Sequence, residues 1–102
     1  MTAGYRLTGA AEDDLSEILL YVAEHDGAGR ALHVHAKFVE AFERLASTPG
    51  AGAKRPELTG DRARWWTVFR WIVFYDPETS PITILRVVHG ARELDLILRP
   101  DH

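Results

Sequence analysis

Apolar residues recur at helical intervals in the first half of the chain and at the closer intervals of strands in the second. Ala11, Leu15, Ile18, Leu19 and Val22 share one helical face. Thr8 stands where an N-cap belongs, and Glu12, Asp13 and Asp14 follow where the helix dipole favours carboxylates. Asp26-Gly27 closes the segment, with Gly27 as a cap residue of positive φ, so the spacing predicts a helix over residues 9–25. A second stripe, Ala31, Val34, Phe38, Ala41, Phe42 and Leu45, predicts another helix from about Ala28 to the break at Pro49-Gly50. The short link between the two implies an antiparallel helical hairpin. Tyr5-Arg6-Leu7 before it reads as a short extended start, and residues 49–62, with Pro49, Pro56, Gly50, Gly52 and Gly60, as a loop.

From Arg64 to Asp76 the chain is rich in Trp, Val, Phe, Ile and Tyr, the residues strands favour. The run is too long for one typical strand, which predicts two strands and a tight turn near Val68–Arg70, although no Gly or Asn marks it. Asp76-Pro77-Glu78-Thr79-Ser80-Pro81 is a turn, and Ile82–His89 the last strand. Strict alternation puts Ile82, Ile84, Arg86 and Val88 on one face and Leu85 and Val87 on the other, apolar enough on both for a central position. Gly90 ends it, and Ala91–Leu98 reads as a short final helix or extension. The expected fold is therefore α+β, in the order β-α-α-β-β-β. One domain over residues 1–102 packs its helical hairpin on one face of a small, mostly antiparallel sheet.

Composition narrows the functional classes. The chain has 102 residues, no cysteine, and 12 Lys+Arg against 15 Asp+Glu, a formal charge of −3. Without cysteine there is no disulfide framework, thiolate zinc site or cysteine nucleophile. No signal peptide or membrane-length apolar run is visible, so a cytoplasmic protein without membrane association is expected. The acidic balance speaks against a general nucleic-acid coat, because phosphate affinity is mostly neutralisation by Lys and Arg. The charge is uneven, however. Residues 1–53 carry four basic and eight acidic side chains, residues 54–99 eight basic and six acidic. An anionic target should therefore meet the strand half.

Phosphate-loop, dinucleotide and nucleophile-elbow motifs are absent. His33 and His35, two apart on a helix, point about 200° away from each other and cannot share a metal, so no metal or cofactor is expected. Trp65, Trp66 and Trp71, interleaved with Arg62, Arg64 and Arg70, either pack as core and cover the open sheet face or form a stacking platform. An open-face Trp would serve as an anchor for a protein partner. Arg86, inside a strand, needs a carboxylate partner such as Asp14 or Asp95, or else lines a cleft and offers its fork to phosphate or to an acidic surface. His89 sits at the strand end, where histidine suits proton transfer, and Arg92 follows shortly after.

The order of these pieces resembles the RelE/ParE superfamily of toxins from bacterial type II toxin–antitoxin systems, the ParE branch above all. The resemblance runs over residues 5–98. It is carried by Tyr5-x-Leu7-Thr8-x-x-Ala11-x-x-Asp14-Leu15, Tyr21, Gly27, Leu45-Ala46-x-x-Pro49-x-x-Gly52, Arg55, Arg64, Phe74-Tyr75 and Ile84-x-Arg86-Val87-x-His89-Gly90-x-Arg92. It implies the same β-α-α-β-β-β fold and a toxin held inactive by a cognate antitoxin whose C-terminal segment wraps its helices and sheet. ParE-like members poison DNA gyrase; RelE-like members cut mRNA on the ribosome. For a gyrase inhibitor the expected contacts are Arg64, Trp71, Arg86, His89 and Arg92, with no catalytic residue. For an endonuclease, Arg64, Arg86 and His89 would supply cations and a proton carrier, with Lys54 or Arg55 adding charge. The acidic balance, and the lack of any Tyr after Tyr75, favour the gyrase reading. Phe69-Arg70-Trp71 replaces the family's Gly-containing turn, which leaves open a third reading, a binding protein of this fold without toxicity.

Overall fold

The computed structural model describes residues 4–54 and 62–90. Its elements are β1 (Tyr5–Leu7), α1 (Gly9–Asp26), α2 (Ala28–Ser47), a 3-10 turn (Pro49–Ala51), β2 (Ala53–Lys54), β3 (Arg64–Val68), β4 (Trp71–Asp76) and β5 (Ile82–His89). The strands form one mixed sheet in the order β1-β5-β4-β3-β2, in which only β1 and β5 run parallel. The fold is the expected α+β arrangement, with one strand more than the sequence pattern showed. β2 is two residues long and lies inside the segment read as loop. The expected final helix or extension, Ala91–Leu98, lies outside the described residues.

Thr8 caps α1 as expected, its hydroxyl accepting from the Ala11 N–H at 3.0 Å. Gly27 both ends α1 and precedes α2, with φ at +92°, a region that residues bearing a Cβ rarely adopt. The two helices bury the faces their spacing predicted. Val34, Phe38, Phe42 and Leu45 of α2 meet Val73 and Tyr75 of β4 and Ile84 of β5, and all seven are almost fully buried. Hydrophobic burial of this layer holds the helical hairpin on the sheet.

Strict alternation fails in β5. Phe74 faces Arg86, but Tyr75 faces Ile84, so Leu85 is an extra residue and β5 carries a bulge there. The expectation that Arg86 shares the face of Ile82 and Ile84 is therefore wrong. Before the bulge Ile82 and Ile84 point to the helices; after it Val87 does, and Arg86 is turned out of the core. The tryptophans divide between the two faces. Trp66 and Trp71 lie under the helices, while Trp65 stacks on Phe74 across the open face, ring centroids 6.4 Å apart.

Candidate functional site

The sheet is unequally covered along β5. β1 pairs only with Ile82, Thr83 and Ile84, after which the chain leaves the sheet and turns into α1. Thr8 makes that exit: its N–H donates to Ile84 O at 3.0 Å and its hydroxyl to Leu85 O at 2.8 Å. α1 then runs beside the uncovered length of β5. Between them lies a cleft of about 540 Å³, walled by Asp14, Ile18 and Tyr21 on the helix and by Trp71, Arg86 and His89 on the sheet.

Asp14 and Arg86 close one end of this cleft. Arg86 Nε donates to Asp14 Oδ2 at 2.6 Å and Nη2 donates to Oδ1 at 2.9 Å, a two-pronged ion pair. Asp14 Oδ2 also accepts the Val87 N–H at 2.9 Å, taking the place a neighbouring strand's carbonyl would fill. Burial by itself would raise the Asp14 pKa. The Arg86 hydrogen bonds, the Val87 N–H and the Arg86 charge outweigh it, and the carboxyl is held below its ordinary range. Of the two partners expected for Arg86, Asp14 is thus the one the structure supplies; Asp95 lies outside the described residues.

At the far end, Gly90 N–H donates to Arg70 O at 2.9 Å and ties the end of β5 to the β3–β4 turn. A Cβ on Gly90 would sit 3.1 Å from that same carbonyl, which suits glycine there. His89 faces Trp71 across the ladder, and its Nδ1 is buried with no hydrogen-bond partner among the described residues. Trp71 is only 8% exposed and its ring packs against Phe38, centroids 5.8 Å apart. It is a wall of the cleft and part of the core, as the core reading of the aromatic run expected for alternate rings.

Arg64 stands elsewhere. It lies on β3 with β4 between it and β5, about 10 Å away at ordinary strand spacing. Its Nη1 reaches toward the other sheet edge and donates to Gly52 O at 2.8 Å. There it joins Tyr75, whose hydroxyl donates to Pro49 O at 2.7 Å and accepts the Gly52 N–H at 2.8 Å. Burial raises the Tyr75 pKa, against the lowering effects of the Gly52 N–H and the Arg64 charge. Arg64 and Tyr75 therefore pin the 3-10 turn and β2 to the sheet. Tyr75 was absent from the expected site residues; its only sequence signal is the Phe74-Tyr75 pair. Lys54 ends β2, while Arg55 and Arg92 lie outside the described residues. Of the five expected contact residues, the cleft brings together Arg86, His89 and Trp71 and excludes Arg64.

Comparison with known proteins agrees with this architecture. The family described as the ParE toxin of the type II toxin–antitoxin system, parDE, matches residues 5–94. Among solved structures, a chain of the chromosomal ParDE toxin–antitoxin system from P. aeruginosa superposes with a TM-score of 0.71. It is 24% identical, and the alignment covers 83% of this chain and 92% of that one. At that identity the likeness speaks for the fold. No curated protein sequence matches.

Proposed function

The chain belongs to the ParE toxin family of type II toxin–antitoxin systems, and from that membership we propose that it is a non-enzymatic toxin that inhibits DNA gyrase in the cytoplasm until a cognate antitoxin binds it. The observation that carries the choice between inhibitor and nuclease is the separation of Arg64 from Arg86. Metal-free RNA cleavage needs cations, a base and an acid converging within hydrogen-bond reach of one phosphate. Here the Arg64 guanidinium is held by Gly52 O toward one edge of the sheet, and the Arg86 guanidinium by Asp14 at the other side. A protein surface recognised by shape does not need that convergence. In this reading Arg86 and His89, with Arg92 beyond them in sequence, contribute to target contact around the α1–β5 cleft, and Trp71 shapes its floor.

The test begins with inducible expression in a bacterial host, alone and with the small open reading frame beside its gene. Growth arrest relieved by the neighbour is the expected result. Purified protein should then block gyrase supercoiling and accumulate cleaved DNA. Unimpaired supercoiling together with mRNA cut at codons would move the chain to the endonuclease reading, and no arrest at all to a binding protein of this fold.

A further inference from the structure

A second cavity lies at the tip of the helical hairpin. Gly27 turns α1 into α2 there, and the two-residue turn Phe69-Arg70 brings the β3–β4 end of the sheet beside the first turn of α2. Between them is a space of about 560 Å³, within the range of small-molecule sites. Val34 and Trp71, both buried, line its inner side. Tyr21 and Trp71 also wall the α1–β5 cleft, so the two spaces are neighbours. Arg30, Val34 and Phe69 belong to this one and not to the cleft.

Its walls are cationic and aromatic. Arg30 stands over the Phe69 ring at 5.4 Å, and Arg70 follows Phe69 in the turn. Both arginines line the cavity and both are exposed. Unlike Arg62 and Arg86, neither has a carboxylate partner among the described residues. Asp26 is the one acid in the lining. Two flat rings stand beside these charges. Tyr21 is 55% exposed and rests on the His25 ring, centroids 3.9 Å apart. His25 is held in turn, its Nδ1 donating to Tyr21 O at 2.8 Å, since a carbonyl can only accept. Phe69 is 48% exposed and sits at a φ of +54°, a strained conformation of the kind that clusters at ligand clamps.

We infer that this cavity binds one nucleotide, with its phosphate on Arg30 and Arg70 and its base against the exposed rings of Tyr21 and Phe69. The guanidinium fork matches phosphate oxygens in pairs, and an aromatic face takes any base by stacking. The apolar inner side, Val34 and Trp71, lowers the local dielectric and so strengthens the charge contact. A phosphate joined to a planar ring uses both features at once. A free nucleotide and an unpaired nucleotide of a DNA strand offer the same chemistry. The inference goes beyond the gyrase reading and stands without it.

NMR titration of the isotope-labelled protein tests it, with deoxyadenosine monophosphate, inorganic phosphate, deoxyadenosine and an oligodeoxyadenylate strand as probes. The monophosphate should move the signals of Val34, Phe69 and Arg70. It should bind about ten-fold or more tightly than phosphate or the nucleoside alone. Arg30→Glu with Arg70→Glu should weaken binding by about ten-fold or more yet melt like the parent, because neither side chain holds an ion pair. Lys37→Glu with Arg44→Glu reverses as much charge outside the cavity and should leave affinity within about two-fold. Phe69→Gly relieves the turn and removes the ring, so the monophosphate should lose most of its advantage over phosphate. That variant decides the matter even if the double reversal does not fold. A strand that binds more tightly than the monophosphate identifies DNA as the source, and one that binds equally or less identifies the free nucleotide; either upholds the cavity. No shift at Val34, Phe69 and Arg70, phosphate bound as tightly as the monophosphate, or equal losses from the two charge reversals overturns it. So does an oligoglutamate peptide that displaces the monophosphate at equal concentration.

Discussion

Asp14 and Arg86, 72 positions apart in sequence, are joined by two hydrogen bonds of 2.6 and 2.9 Å, and the same carboxylate holds the Val87 N–H. One side chain of α1 thereby does what a missing strand would do for β5, at the position where the Leu85 bulge has turned Arg86 out of the core. The contact links the helix to the sheet beside the cleft proposed for target contact. Its energetics are therefore separable from toxicity only by comparing the two partners.

Asp14 is 15% exposed and Arg86 52%, so the two halves of the pair are not equivalent. Asp14→Ala leaves the Val87 N–H without its partner and should cost about 1–3 kcal/mol. Arg86→Ala leaves Asp14 still accepting from Val87 and should cost under about 1 kcal/mol, as expected for a half-exposed partner. Denaturant unfolding of both variants checks this. If toxicity vanishes in Arg86→Ala while stability is nearly kept, Arg86 touches the target. If the two variants are equally destabilised, the asymmetry is wrong.

The lowered pKa of Asp14 gives this contact a pH signature. A carboxyl whose folded pKa lies below its unfolded value, about 3.9, adds stability above that value. The contribution is lost as pH falls through the lower, folded pKa. The stability gap between the parent protein and Asp14→Ala should accordingly be widest near neutrality and should narrow below about pH 4. Unfolding curves that remain parallel down to about pH 2 would remove the ionised carboxylate from the account.

Most of this architecture was legible because it rests on local patterns. The apolar stripes of α1 and α2, the Thr8 cap and the Gly27 break each depend on residues within a turn or two of one another. What stayed hidden is non-local. The Leu85 bulge follows from matching β4 to β5 and to the exit of β1, so the alternation of Ile82–His89 read by itself put Arg86 on the wrong face. β2 pairs with β3 just after Gly52, whose backbone Arg64 and Tyr75 hold, and nothing in Ala53-Lys54 itself favours a strand. The pairing of Arg86 with an acidic residue of the first helix was readable, since a charge inside a strand needs a partner. That Arg64 and Arg86 diverge was not, because it depends on where each guanidinium finds its acceptor.

Tyr75 offers a second stability test. Its hydroxyl serves both Pro49 O and the Gly52 N–H, in a place where Gly52 has no room for a side chain: a Cβ would stand 2.5 Å from that hydroxyl. Tyr75→Phe keeps the ring and strands both backbone groups, at an expected cost of about 1–3 kcal/mol. Gly52→Ala should be at least as damaging, since backbone and a buried ring must both move. Amide exchange near Gly52 should rise in Tyr75→Phe more than in the helices. Uniform loosening would show that the hydroxyl does not act locally.

Phe69 raises the opposite question, why a chain keeps a costly residue. It is the first residue of the two-residue turn between β3 and β4, with φ at +54°, a position that glycine takes without strain. An L-residue there costs about 1–2 kcal/mol. The ring recovers part of this through Arg30, 5.4 Å from its centroid, and through His33, yet it remains 48% exposed. Phe69→Ala keeps the Cβ strain and loses the ring, whereas Phe69→Gly loses both. The glycine variant should be the more stable of the two by about 1 kcal/mol. Equal stability of the two variants in denaturant unfolding would take the positive φ of Phe69 out of the account.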